Sequence, residues 1–169
     1  MSIATGSKMP NDKALSLRTA TPADAPLVRD LVRAAYARWV PIIGREPKPM
    51  RADYAAALRD HRIDLFYYEI RPIALIETIL RSDHLFIENI AILPEYQGHG
   101  LGRRLLAHAE RLAAEAGLGE LRLLTNGKMA KNIALYRTVG YAIDREEPFM
   151  DGTVVYMSKT METRSVGPL

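Results

Sequence analysis

Between positions 93 and 103 the chain reads Leu93-Pro94-Glu95-Tyr96-Gln97-Gly98-His99-Gly100-Leu101-Gly102-Arg103, three glycines on alternate positions behind a proline. No other stretch narrows the choice of fold as much. The apolar run 85–93 before it reads as a strand, stopped by Pro94 because proline cannot donate to a ladder. After it, 100–116 sets Leu101, Leu105, Leu106, Ala109, Leu112 and Ala113 on one helical face, and Gly117 and Gly119 supply the stop. A glycine-rich turn from strand to helix bends tightly and exposes N–H groups, and the helix N-terminus adds partial positive charge. Together they form a cradle for a pyrophosphate. Arg103 and Arg104 in the first helical turn oppose the helix dipole, a cost that makes sense where they meet phosphate. Taken alone, the same glycines also read as a tight connection and nothing more. The Gly-Lys-Ser/Thr ending of a Walker A loop is absent, and glycines at 98, 100 and 102 do not fit Gly-x-Gly-x-x-Gly.

The remaining pattern supplies a mixed α/β layered domain. Residues 15–20 alternate as a short strand, and Thr21-Pro22 with Asp24 starts a helix carrying Leu27, Val28, Leu31, Val32 and Ala35. From 39 to 50, Pro41, Gly44, Pro47 and Pro49 predict a loop without regular structure, though its apolar content is high for a solvent linker. A helix is expected over 51–61, then strands 64–70 and 73–80 joined by a turn at Arg71-Pro72. Strand 121–125, helix 129–139 closed by Gly140, and a hairpin of 141–145 with 153–159 around Met150-Asp151-Gly152 complete the order. The expected organisation is one domain over 14–161, with a flexible segment 1–13 and a flexible tail 162–169.

Composition removes several function classes. The absence of cysteine among 169 residues excludes a disulfide framework, a thiolate zinc site and a cysteine nucleophile. Four scattered histidines show no ligand spacing, so no metal is expected. Against 20 Asp and Glu stand 23 Lys and Arg, interspersed, for a net charge of +3. That balance suits a phosphorylated small molecule better than nucleic acid. No run approaches the ~20 apolar residues of a membrane span, and the first residues lack an apolar signal core. The expectation is a soluble cytoplasmic protein with neither a membrane nor a nucleic-acid partner.

Gln97, Gly100 and Gly102 match the Gln/Arg-x-x-Gly-x-Gly/Ala signature of the GNAT superfamily of acyl-CoA N-acyltransferases, which the chain resembles. Ile90-Ala91-Ile92-Leu93-Pro94 is similar to that family's strand with its proline-led turn. A second block, Leu135-Tyr136 followed by Gly140-Tyr141, stands in the family's order and separation. The resemblance runs from about Leu15 to Thr160 and implies a central mixed, mostly antiparallel sheet flanked by about four helices. It also implies an acetyl-CoA-dependent N-acetyltransferase acting on a primary amine of a small molecule or peptide by direct attack in a ternary complex. Without cysteine, a cysteinyl acyl-enzyme is impossible. A non-catalytic acyl-CoA sensor and a transferase for protein N-termini or lysines are the alternatives. Family members often dimerise, so a homodimer is compatible with the resemblance.

The resemblance also implies roles for individual residues. The backbone of Ile90, Ala91 and Ile92 pairs with the pantetheine arm, and Gln97, Gly98, His99, Gly100, Leu101, Gly102 and Arg103 wrap the pyrophosphate. Tyr136 is the general acid for the departing thiolate, or else a core tyrosine. Many members carry Asn seven residues before that Tyr. Here Met129 stands there, and Asn132, one turn before Tyr136, either takes the CoA contact or is a surface amide. An amine arrives largely protonated, since alkylammonium pKa values are about 10. A carboxylate, directly or through water, takes its proton. Glu88 is the first candidate, on a strand face with Ile90 and Ile92, and Glu77 the second, near the acceptor; either is otherwise one half of an ion pair on a half-exposed sheet face. Tyr36, Trp39 and Arg45 fall where the family builds its acceptor lid. Arg45 is either a carboxylate or phosphate contact or a surface residue, and Trp39 either a lid residue or a core plug.

Overall fold

A computed structural model describes residues 12–162 of the chain. The expected flexible segments fall mostly on 1–11 and 163–169, outside the described residues.

Strand β1 (Leu15–Thr19) leads through a 3-10 turn at Pro22–Asp24 into α1 (Ala25–Tyr36), which buries Val28, Leu31, Val32 and Ala35 as its spacing predicts. Asp24 secures the entry. Its carboxylate accepts the Thr21 N–H at 2.8 Å and pairs with Arg18 at 2.8 Å, and the guanidinium holds the Asp24 carboxyl down to about 2.

The proline-rich stretch departs from the expected loop. It holds a 3-10 turn at Ala37–Trp39 and two single helical turns, α2 (Val40–Ile43) and α3 (Lys48–Arg51). Pro41 and Pro49 sit in the first turn of each, where a missing N–H removes no helical bond. Gly44, at φ 87°, ends α2 in the left-handed region. Ala52 is extended, so the next helix, α4 (Tyr54–Asp60), starts later than position 51, with the Asp53 side chain capping Ala56 N–H at 3.1 Å.

Strands β2 (Arg62–Tyr68) and β3 (Arg71–Leu80) are joined at Glu69-Ile70, two residues before the expected Arg71-Pro72 turn. Glu69 takes the left-handed conformation, φ 54°. Pro72, as the second residue of β3, stays near the strand start where proline is tolerated. Then come β4 (Leu85–Ile92), α5 (Leu101–Glu115), β5 (Glu120–Asn126), α6 (Ala130–Thr138), β6 (Ala142–Phe149) and β7 (Gly152–Thr160).

The strands line up as β1-β2-β3-β4-β5-β7-β6. The β1–β2, β5–β7 and β6–β7 pairs are antiparallel and β4–β5 is parallel, the mixed, mostly antiparallel sheet the resemblance implies. Among the described residues, α1, α4, α5 and α6 are the helices of seven residues or more. The β4–β5 register is short. It pairs Leu85, Phe86 and Ile87 with Leu121, Arg122 and Leu123 and ends there, although β4 runs on to Ile92.

Contacts group the described residues into two compact units. One holds the described residues up to Glu77 together with Asn89–Gly102; the other holds Thr78–Glu88 and the described residues from Arg103 onward. The first has Val28, Val32, Ile63, Leu65, Ile73 and Leu75 at its centre, the second Leu105, Leu106, Leu121 and Met157.

Candidate functional site

In the first unit, the end of β4 feeds the glycine turn. Leu93 N–H donates to Ile73 O at 2.9 Å, and Pro94–Tyr96 forms one 3-10 turn. Gly98 (φ 78°) and Gly100 (φ 83°) are both left-handed, and nothing lies within 4 Å of where a Cβ would stand. The backbone conformation, not crowding, is what calls for glycine there. The turn is open to solvent at Gly98 and Gly100, with His99 half-buried between them. Leu101 and Gly102 are buried as α5 begins, and the first N–H groups of any helix lack intrahelical acceptors. A multiply charged anion fits such a turn.

Gln97 reaches away from this turn. Its Nε2 donates to Ile92 O at 2.8 Å, and its Oε1 accepts a short hydrogen bond from Arg38. The Arg38 guanidinium lies 4.6 Å over the ring of Trp39, which is buried. Two residues along β4, Ile90 O lies 3.0 Å from the Tyr36 hydroxyl, which is also 2.7 Å from Asn89 Oδ1. Asn89 is 4% exposed, and its amide donates to Tyr54 OH at 3.3 Å, which donates on to Pro49 O at 2.5 Å. The proline-rich segment is thus tied to β4 through Asn89.

Glu77, on β3, is 4% exposed and meets His61 Nδ1 at 2.7 Å. His61 closes α4, its N–H donating to Ala57 O at 2.8 Å, and its side chain is 27% exposed. Arg45 and Tyr36 are half-buried. Along β4, burial alternates as expected: Glu88, Ile90 and Ile92 are half-buried, while Ile87, Asn89 and Ala91 are buried.

In the second unit, α6 carries Asn132 and Tyr136. Tyr136 is buried, and burial pushes its phenol up to about 12. Its ring centroid is 6.1 Å from that of Tyr141, whose hydroxyl is a buried side-chain atom with no hydrogen-bond partner among the described residues. Burial raises the Tyr141 phenol as well, with smaller contributions from Glu110 and Tyr136. Met129 fills the position before α6. It is buried, with its sulfur 3.8 Å from Thr125 Oγ1, while Asn132 is half-buried. Arg103 is exposed and donates to Thr138 Oγ1 at 3.2 Å; Arg104 is exposed beside it.

The structure therefore brings together Tyr36 with Ile90, Gln97 with Ile92, and Glu77 with His61. Trp39 is buried. Asn89, Tyr54 and His61 were not singled out by sequence. Asn89 had a signal: it shares the buried face of β4 with Ile87 and Ala91, and a buried amide requires partners. His61 had none, because its partner is sixteen residues away on another element.

Residues 28–141 match the sequence profile of the acetyltransferase (GNAT) family. Over 68 residues the chain is 38% identical to the [ribosomal protein bS18]-alanine N-acetyltransferase of Escherichia coli K12, covering 40% of this chain and 45% of that one. Over 61 residues it is 39% identical to the streptothricin acetyltransferase of Streptomyces lavendulae, covering 36% of this chain and 32% of that one. The chain spans between about a third and a half of the length of these curated relatives. Among solved structures, the E. coli ribosomal-protein-S18-alanine N-acetyltransferase superposes with a TM-score of 0.73 at 21% identity, over 92% of this chain and 99% of that one. The PaiA N-acetyltransferase of Thermoplasma acidophilum in complex with coenzyme A superposes with a TM-score of 0.66 at 18% identity, over 86% and 98%. Both share the fold.

Proposed function

The chain belongs to the acetyltransferase (GNAT) family, and from that premise we propose that it transfers an acetyl group from acetyl-CoA to a primary amine of a small molecule or peptide, by direct attack with both substrates bound. The observation that carries this reading is the glycine turn. Left-handed Gly98 and Gly100 run into α5 with Arg103 and Arg104 in its first turn, a fit for a pyrophosphate. Relatives whose names specify antibiotic or ribosomal-protein acceptors support an amine as acceptor class. The cytoplasm, where acetyl-CoA is used in this way, is the proposed location.

Acetyl-CoA supplies an acetyl group on a thioester whose sulfur leaves when an amine attacks. The chain's own residues do the rest. Gln97, Gly98, His99, Gly100, Leu101, Gly102 and Arg103 hold the pyrophosphate, mainly through backbone N–H groups. Ile90, Ala91 and Ile92 lie beyond the end of the β4–β5 ladder and offer backbone groups to the pantetheine arm. Asn132 adds an amide one turn before Tyr136. Tyr136 gives its proton to the leaving sulfur, and its burial keeps the phenol protonated across the working range. Glu88 or Glu77 receives the proton of the incoming ammonium. Tyr36 and Arg45 shape the acceptor end, with Trp39 packed under Arg38 as support.

Thiol release from acetyl-CoA, measured against amino acids, polyamines, aminoglycosides and short peptides, tests the reading. Release with one amine class is the expected result. Thermal stabilisation by acetyl-CoA without release would leave a sensor, and neither signal would remove the pyrophosphate site. Tyr136→Phe is expected to lower kcat about a hundredfold with the KM for acetyl-CoA unchanged. The wild type should lose no rate to Tyr136 ionisation as pH rises to 10, because a phenol held near 12 is still protonated there. Unchanged turnover in Tyr136→Phe would take this residue out of the chemistry.

A further inference from the structure

The pair formed by His61 and Glu77 has the geometry of a general base and its orienting carboxylate. We propose that His61 Nε2, with Glu77 behind it, takes the proton from the acceptor ammonium. The inference rests on the transferase reading above and replaces its open choice of carboxylate with a named nitrogen.

Glu77 is buried at 4% exposure and its Oε1 is 2.7 Å from His61 Nδ1. A carboxylate only accepts, so this bond sets the ring proton on Nδ1 and leaves the lone pair on Nε2, the tautomer a base requires. Nε2 lies across the ring from Glu77, on a side chain that is 27% exposed. Glu77 itself is too deeply buried to meet a substrate amine directly. The neighbouring cation is otherwise engaged: Arg62 Nε pairs with buried Asp64 at 2.8 Å.

The dyad also stands at a suitable place along the sheet. Strands β3 and β4 are neighbours joined by only four residues, so they are antiparallel, since a parallel connection needs a dozen or more. Leu93 N–H donates to Ile73 O. With Arg81 N–H donating to His84 O at the other end of the pair, Glu77 falls opposite residues 88–89, one or two residues before Ile90. Ile90 belongs to the β4 stretch assigned above to the pantetheine arm.

The step balances without a further reactant. An N–H bond of the ammonium breaks, its proton passes to Nε2, and the nitrogen keeps the electron pair with which it attacks the thioester carbonyl. As the C–S bond breaks, sulfur takes its proton from Tyr136. The amide nitrogen sheds its second proton to restore the phenol, and imidazolium returns the first to water.

Thiol release by wild type, His61→Ala and His61→Asn, at saturating acetyl-CoA and with the amine that wild type prefers, tests the assignment. His61→Asn keeps an N–H for Glu77 but has no basic nitrogen, so it guards against a loss that is only structural. Both His61 variants are expected to lose about a hundredfold in kcat while acetyl-CoA still raises Tm as in wild type. Added imidazole should restore rate to His61→Ala. An active His61→Asn, or a His61→Ala defect that imidazole does not relieve, would overturn the dyad alone. A wild type silent with every amine would overturn the transferase reading, and the dyad's role with it.

Discussion

Leu85, Phe86 and Ile87 are held by β5 through a parallel backbone ladder, whereas further along the same strand the carbonyls of Ile90 and Ile92 meet side chains, the Tyr36 hydroxyl and the Gln97 amide. Both halves of β4 show the same alternation of buried and half-buried residues. They differ in what satisfies the backbone. A ladder bond is released only by moving a strand, whereas a side-chain donor leaves by rotating about its χ angles, at a net cost of about 1 kcal/mol per bond. On the function proposed above, the first half serves stability and the second exchange with the pantetheine arm. A pantetheine arm has amides of its own to offer in return.

The largest effect that separates the halves is expected from Leu121→Ala. Leu121 is fully buried opposite Leu85, and truncation should cost about 3 kcal/mol of stability. Chemical denaturation should show that loss while kcat per folded molecule stays at the wild-type value. A proportional fall in kcat would mean that the ladder half also takes part in the chemistry. Gly100→Ala should do the reverse, on a smaller scale. At φ 83° an alanine is disfavoured by about 1–2 kcal/mol, so acetyl-CoA affinity by calorimetry should fall about tenfold. Gly117→Ala is the control. Gly117 is also left-handed, φ 73°, but follows the end of α5, so its strain should appear in Tm and leave affinity alone. Equal affinity losses in the two variants would erase the distinction between the glycine turn and an ordinary helix stop.

Local signals in the sequence carried most of the fold. The seven strands, the long α5 and the final hairpin follow from alternation, helical spacing and glycine stops, each of which acts over a few residues. The departures came where a local rule has two outcomes. Proline at 41 and 49 predicts a break, but at the first turn of a helix it is accommodated, and α2 and α3 form. Arg71-Pro72 looks like a turn, yet Glu69 accepts the left-handed angle and β3 starts at Arg71.

The candidate site divides in the same way. Gly98, Gly100 and Tyr136 stand out because the backbone or the neighbouring motif announces them. Asn89 and His61 do not, because what matters about them is a partner 53 and 16 residues away. Trp39 shows the limit of composition: an aromatic in a proline-rich stretch suits a lid or a core equally, and its burial is not written in the composition.

Amide hydrogen exchange of the wild type, resolved along β4 with and without acetyl-CoA, tests the central claim most directly. Leu85, Phe86 and Ile87 should be protected from the start and change little. Ile90 and Ile92 should exchange faster without ligand, and the amides facing the pantetheine arm should slow by about tenfold or more when it binds. Uniform slowing along all of β4, or no change at 90–92 while acetyl-CoA is demonstrably bound, would contradict the account.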